Sequence, residues 1–284
     1  MRNPGTMRIP GPPPHTPPVY RLWWYAMRLF VALVCIFLLA PILAIVPISF
    51  SSGSFLTYPL PGFSLQWYAE VFEPRPWMFA LKNSLIVGSG ATVLATTLGT
   101  LAALGLAKGN LPGRSAVNAF LISPMIVPLV ITAVGVYFFF ARIGLNASYP
   151  GLILGHTALA VPFVVITVTA TLEGFDTNLI RAGQSLGAGP LRVFRRITLP
   201  LIAPGVASGA IFAFAISFDE VVVTVFLAGP AQRTLPRQMF DGIRENISPA
   251  ILAVATLLVL VALALMVTIG LLKRRSDRLR GLHG

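Results

Sequence analysis

The feature that most limits what this chain can fold into is a set of six apolar runs, each long enough to cross a bilayer. They cover residues 29–48, 83–106, 116–140, 151–171, 201–227 and 250–272. A hydrocarbon core about 30 Å thick needs roughly 20 apolar residues of helix, at a rise of about 1.5 Å per residue. Within hydrocarbon every backbone polar group needs an internal partner, so such runs form helices. The prolines and glycines inside them do not argue against this, because neighbouring helices can re-satisfy the freed groups. The expectation is an all-α membrane protein with six transmembrane helices. Composition agrees. Only 11% of the 284 residues are charged, against about 25% in soluble domains, and mean hydropathy is +0.81.

Three regions follow. Residues 1–28 form a proline-rich tail and lead-in, expected to be disordered, with seven prolines in the first 20 positions. Residues 29–272 hold the membrane domain, and 273–284 form a basic C-terminus. Arg21 and Arg28 precede the first run, as in a signal peptide. The run exceeds the roughly 7–15 residues of a signal-peptide core and no A-x-A site follows, so it reads as an uncleaved span. The net charge of +12 sits between and beyond the apolar runs, which disfavours nucleic acid as a partner. Of the Lys and Arg residues, 15 fall in the tail, the loops after the second and fourth runs, and the C-terminus; six fall in the other loops. By the positive-inside rule both termini are cytoplasmic. The single cysteine, Cys35, excludes an intrachain disulfide and reads as a small packed hydrophobe.

The loop after the fourth run, 173–200, has more design than a simple connection. Asp176 or Thr177 can cap a short helix in which Leu179, Ala182, Gly183 and Leu186 share one face. Gly187 and Gly189 permit a sharp turn, and Pro190 suits the first position of a second helix. Leu191, Phe194 and Ile197 then recur every three residues, with Arg192, Arg195 and Arg196 largely off that stripe. Two readings fit this pattern: a loop lying on the membrane surface with its arginines at lipid headgroups, and a docking knob for a cytoplasmic partner.

At this loop the chain resembles the binding-protein-dependent ABC importer permeases. Their EAA loop reads Glu-Ala-Ala, then Gly, then Ile-x-Leu-Pro; here Ala182, Gly187, Ile197, Leu199 and Pro200 match. Arg181 stands where the family has Glu and Gly183 where it has the second Ala. The stretches "FSLQWYAEVF", "LKNSLIVG", "VPFVVITVTATLEGFD" and "SFDEVVVTVFLAGP" extend the likeness, most closely to the second permease of spermidine/putrescine importers. The resemblance implies a type I ABC importer permease in the bacterial inner membrane. It implies partners too: a second permease, two ATP-binding subunits and a periplasmic substrate-binding protein. The loop would then be the coupling helix that docks on the ATPase. ATP would be used by that partner, with no cofactor in this chain.

Asp219 and Glu220 are the only acids within an apolar run. An ionisable group there is costly unless it meets a partner or water. A continuous helix from Pro200 puts Asp219 roughly 28 Å along the span, toward its outer end. The pair therefore reads either as a helix end reaching the interface or as an acidic lining of a translocation path. The resemblance favours the second, since polyamine permeases carry an acidic pair in this segment. Met125 stands where some of them carry Asp, which thins the lining. Trp67 resembles a family aromatic near the outer gate and equally fits an interfacial anchor. His156 reads as a hydrogen-bonder between helices rather than a ligand.

No phosphate-binding loop, metal-ligand spacing or nucleophile–base arrangement is visible. The reading is a transport subunit rather than an enzyme. Its rivals are the same machine with another cargo, such as ferric iron, thiamine or an opine, and a stand-alone secondary transporter. The halves show no obvious inverted repeat to support the latter.

Overall fold

The computed structural model describes residues 17–73, 76–107, 112–174, 176, 178–245 and 247–279. They are helical apart from loops and one isolated bridge, Ser51 to Phe63. They divide into two units, one of residues below 70 and above 247, the other of 70–247.

Helices are numbered in chain order, with α2 (Gln66–Phe72) and α11 (Leu235–Glu245) both short. In the first unit, α1 (Pro18–Ile48) packs with α12 (Pro249–Leu279). The first helix begins well before its apolar run, because Pro18 occupies an opening position where its missing N–H leaves no donor unpaired. Residues 18–28, expected as lead-in to a disordered tail, are thus helical; 1–16 lie outside the described residues. The lead-in carries Trp23, Trp24 and Tyr25, and the Arg28 guanidinium lies 3.6 Å from the Trp24 ring centroid. This mixture of aromatic rings and cations suits a bilayer interface. No residue of α1 is buried, and Cys35 is exposed rather than packed. Residues 273–279 continue α12 instead of leaving it.

The second unit is built on α3 (Trp77–Ala107), α6 (Tyr149–Glu173) and α9 (Leu199–Phe218), which pack on one another. Ala91, Ala95, Gly99 and Ala103 recur every four residues on α3, and all are buried. Small residues at that spacing let helix backbones approach, which supplies contact where lipid removes the hydrophobic drive for helices to associate. Ala160, Val164 and Val168 of α6 and Ile202 and Ala213 of α9 complete this cluster. Ser148 caps α6 by accepting from the Gly151 N–H at 3.1 Å.

Each of the six runs is helical, but two are not the continuous rods expected. The third is two helices, α4 (Arg114–Ile126) and α5 (Leu129–Arg142), bent by 105°. Pro128 is the cause: its ring pushes the preceding residue out of helical conformation, and Val127 is extended at φ −71°, ψ 133°. The fifth stops at Phe218, and a separate six-residue helix, α10 (Val222–Leu227), follows. Four described helices are long and apolar enough to span a membrane, five when the bent pair counts as one, while the sixth run opens with the apolar stretch Pro249–Ala264.

Candidate functional site

The 173–200 loop folds as two short helices, α7 (Asn178–Ser185) and α8 (Pro190–Val193). Asp176 supplies the expected cap, its carboxylate accepting from the Asn178 N–H at 2.9 Å; Thr177 lies outside the described residues. Gly187 closes α7 at φ +79°. Its N–H donates to the Gln184 carbonyl at 2.9 Å, and the Ala188 N–H donates to the Gly183 carbonyl at 3.1 Å. These are the paired bonds of a Schellman cap, and they satisfy carbonyls that would otherwise be left at the helix end. Gly183 is buried because a Cβ there would lie 2.7 Å from Ile197 Cδ1, so α7 rests on that isoleucine.

α8 does not end before the fifth span. It runs through a widened turn, Phe194–Thr198, directly into α9. Pro200 accounts for the turn. A proline inside a helix removes one bond and crowds the carbonyl four residues back. The Leu199 N–H reaches back five residues to the Phe194 carbonyl, which opens the spacing there. The helix is therefore continuous from the loop into the span.

The expected apolar face of α7 is only partly buried. Gly183 is covered, while Arg181, Ala182 and Gly187 are exposed and Leu186 is 87% exposed. Ile197 is half-buried, Leu199 and Pro200 are exposed, and Leu191 is 69% exposed. Arg192, Arg195 and Arg196 line an open recess beside Gly187 and Leu191.

At the break in the fifth span the acidic pair is divided. Asp219 is exposed. Glu220 is 8% exposed, and its Oε1 accepts from the Val223 N–H at 2.7 Å. That bond satisfies an N–H in the first turn of α10, so the carboxylate serves the start of that helix. α9 runs without a break to Phe218, so Asp219 stands at the end of the helix along which its rise of roughly 28 Å from Pro200 was counted. His156 is buried between α6 and this break, bonded to Ser217 and Thr224. Trp67 belongs to the first unit, half-buried, with Nε1 donating to the Ser51 carbonyl at 2.7 Å. Met125 is exposed near the end of α4.

The segment after the break is pinned by residues that sequence reasoning passed over. Asn83 Nδ2 donates to the Ala231 and Arg233 carbonyls at 3.0 and 2.9 Å, and its Oδ1 accepts from Tyr149 Oη at 2.7 Å. Ser84 Oγ accepts from the Leu235 N–H at 2.8 Å. Arg237 Nη1 donates to the Thr224 carbonyl at 3.1 Å and Arg237 Nε lies 3.7 Å from Asp241 Oδ2. The available signal was a polar side chain at the head of an apolar run, since Asn83 opens the second one. Among the described residues no group of three His, Cys, Asp or Glu side chains could hold a metal ion.

Residues 95–280 match the family described as binding-protein-dependent transport system inner membrane component. The chain belongs to that family. The matched region contains both the 173–200 loop and the broken span. The chain is 31% identical over 255 residues to the spermidine/putrescine transport system permease protein PotC of Haemophilus influenzae, covering 89% of this chain and 98% of that one. It is 33% identical over 248 residues to the putrescine transport system permease protein PotI of Escherichia coli, covering 85% and 87%. Its fold is that of a bacterial ABC transporter involved in the import of the acidic polysaccharide alginate, with a TM-score of 0.71 at 15% identity over 92% of this chain and 99% of that one. The protein is thus a multi-pass permease subunit of the inner membrane that works with a binding protein.

Proposed function

We propose that this permease imports polyamines, spermidine or putrescine, as one of two different membrane subunits driven by two separate ATP-binding subunits. The observation that carries the cargo is the exposed carboxylate of Asp219 at the break in the fifth span, in a chain related nearly end to end to PotC and PotI. Polyamines are polycations at neutral pH. An ammonium leaving water needs charge-assisted acceptors in its place. Asp219 offers one, whereas Glu220 is already committed to the Val223 N–H.

The 173–200 loop is the coupling element. It projects exposed Leu186 and Leu191, with Arg181 and Ala182, and it is continuous with α9. Apolar side chains displayed on a structured loop suit a protein groove. ATP-driven closure of the partner would push the loop, and the unbroken α8–α9 helix would carry that displacement toward Asp219. The loop and both termini face the cytoplasm, as the Lys and Arg distribution requires. The chain supplies no nucleotide site of its own and uses no cofactor.

The test is uptake of labelled spermidine and putrescine by the complete complex, reconstituted in vesicles with its periplasmic binding protein and ATP. Uptake that depends on both ATP and the binding protein is the expected result. No uptake of either polyamine would remove the cargo assignment and leave the family standing. ATP turnover by the purified chain alone would overturn the division of labour.

A further inference from the structure

We propose that His156 is a positioning residue for Asp219: its ring ties together the two sides of the break in the fifth span and so sets where the Asp219 carboxylate is presented. The inference rests on the reading of Asp219 as the residue that meets a cationic cargo, and it adds a buried side chain on another helix as the part that aims it.

His156 sits on α6 and is fully buried. Its Nδ1 lies 2.8 Å from Ser217 Oγ, and its Nε2 lies 3.0 Å from Thr224 Oγ1. Nδ1 also lies 3.1 Å from the Ser217 carbonyl oxygen, so both polar groups of Ser217 meet one ring nitrogen while the Thr224 hydroxyl meets the other. With the proton on Nδ1, the ring donates to Ser217 and accepts from Thr224; with it on Nε2, the ring donates to Thr224 and accepts from the Ser217 hydroxyl. Either tautomer ties both residues to the ring.

Ser217 and Thr224 stand on opposite sides of the interruption. Ser217 is in the last turn of α9, and Thr224 is inside α10. A planar ring with two nitrogens at fixed separation therefore bridges the end of one helix and the body of the next. Backbone bonds alone leave a hinge at Asp219–Val221, since regular helical bonding is interrupted there. Ser217 lies two residues before Asp219 and is buried while Asp219 is exposed. Any rotation of the last turn of α9 that moved Asp219 would have to break the Ser217 bond. The ring is not free to serve as a ligand, because both nitrogens already have hydroxyl partners.

The test uses the complete complex in a Cys35→Ser background. Asp219→Cys provides a thiol at the exposed position, and Ile143→Cys, at a position 53% exposed in the loop after α5, is the control. Labelling rates are read with a small membrane-impermeant thiol reagent. His156→Leu should change the rate at position 219 roughly fivefold or more, the shift expected when buried bonds no longer restrain a segment, and leave position 143 unchanged. His156→Gln, whose amide both donates and accepts, should restore the rate. In parallel, His156→Leu should lower uptake per assembled complex in the parent but add no further loss in an Asp219→Asn background, because a residue acting through Asp219 has nothing left to aim. Unchanged labelling at 219, or an equal further loss in both backgrounds, would overturn the proposal. Where His156→Leu does not assemble, Thr224→Val removes the hydroxyl that Nε2 meets with little change in packing, and the same outcomes decide. A complex that labels as expected yet imports no polyamine overturns the cargo reading and leaves the positioning role intact.

Discussion

Replacing Gly187 isolates a single physical term. A Cβ at this position would meet no atom within 4 Å, so a substitution introduces no clash with the rest of the protein. What remains is φ at +79°, which favours glycine. For an L-residue the left-handed region costs about 1–2 kcal/mol, least for Asn and most for β-branched side chains. The cap also holds two bonds, from the Gly187 and Ala188 N–H groups to Gln184 and Gly183, each worth about 0.5–1.5 kcal/mol. If Val forces the turn into another conformation, the α7–α8 geometry is lost and the ATPase partner sees a different surface. The expected series is Gly, then Asn, then Ala, then Val in decreasing affinity for the ATPase. A cost of about 1–2 kcal/mol corresponds to roughly 5- to 30-fold between Gly and Val. Copurification of the ATPase with membrane-inserted variants, and uptake per inserted molecule, measure it. Equal affinity of the Gly and Val forms would refute the argument, because it would show that the left-handed turn is not needed for docking. A loss of the same size for Ala and Asn would refute it differently, since the conformational cost differs between them.

Two further expectations concern the broken span and the segment beyond it. Asp219→Asn should slow polyamine uptake roughly 5- to 30-fold per assembled complex, for about 1–2 kcal/mol lost at the translocation step, whereas Glu220→Gln should lower thermal stability through a weakened first turn of α10 with a smaller effect on uptake; the reverse pattern would mean that the two carboxylates have been assigned the wrong tasks. Asn83→Leu leaves the Ala231 and Arg233 carbonyls without their side-chain donor, and losing those buried bonds should cost about 2–4 kcal/mol, visible as a lower unfolding temperature of the purified complex.

Much of this protein was legible in the chain because bilayer physics makes sequence unusually informative. Run length alone determined the class of fold, since a segment without water must bond to itself. The 173–200 loop was legible for a different reason: its devices are local. A glycine at a left-handed cap, a proline at the first helical position and an aspartate before a helix each act within a few residues, so Gly187, Pro190 and Asp176 could be placed without knowing any distant contact. Family membership followed from that spacing.

Other features depended on competition between local effects and on residues far apart in the chain. A proline inside an apolar run is tolerable in principle, and Pro41 in α1 is accommodated, whereas Pro128 divides the third run at 105°. The ring chemistry is the same in both places; whether the chain bends or continues depends on which surroundings can take up the freed backbone groups. Asp219 and Glu220 are adjacent and chemically alike, so sequence treated them as a pair. Only the folded chain separates them, because Glu220 finds an N–H three residues ahead and Asp219 does not. The partners of His156 lie 61 and 68 residues away, and those of Asn83 lie 66, 148 and 150 away. No periodicity encodes such pairings. Sequence by itself determined the apolar lengths, the caps and the turn, which are short-range consequences of side-chain chemistry; the tertiary structure alone decided which polar groups meet at the break, because hydrogen bonds between helices depend on where packing brings them together.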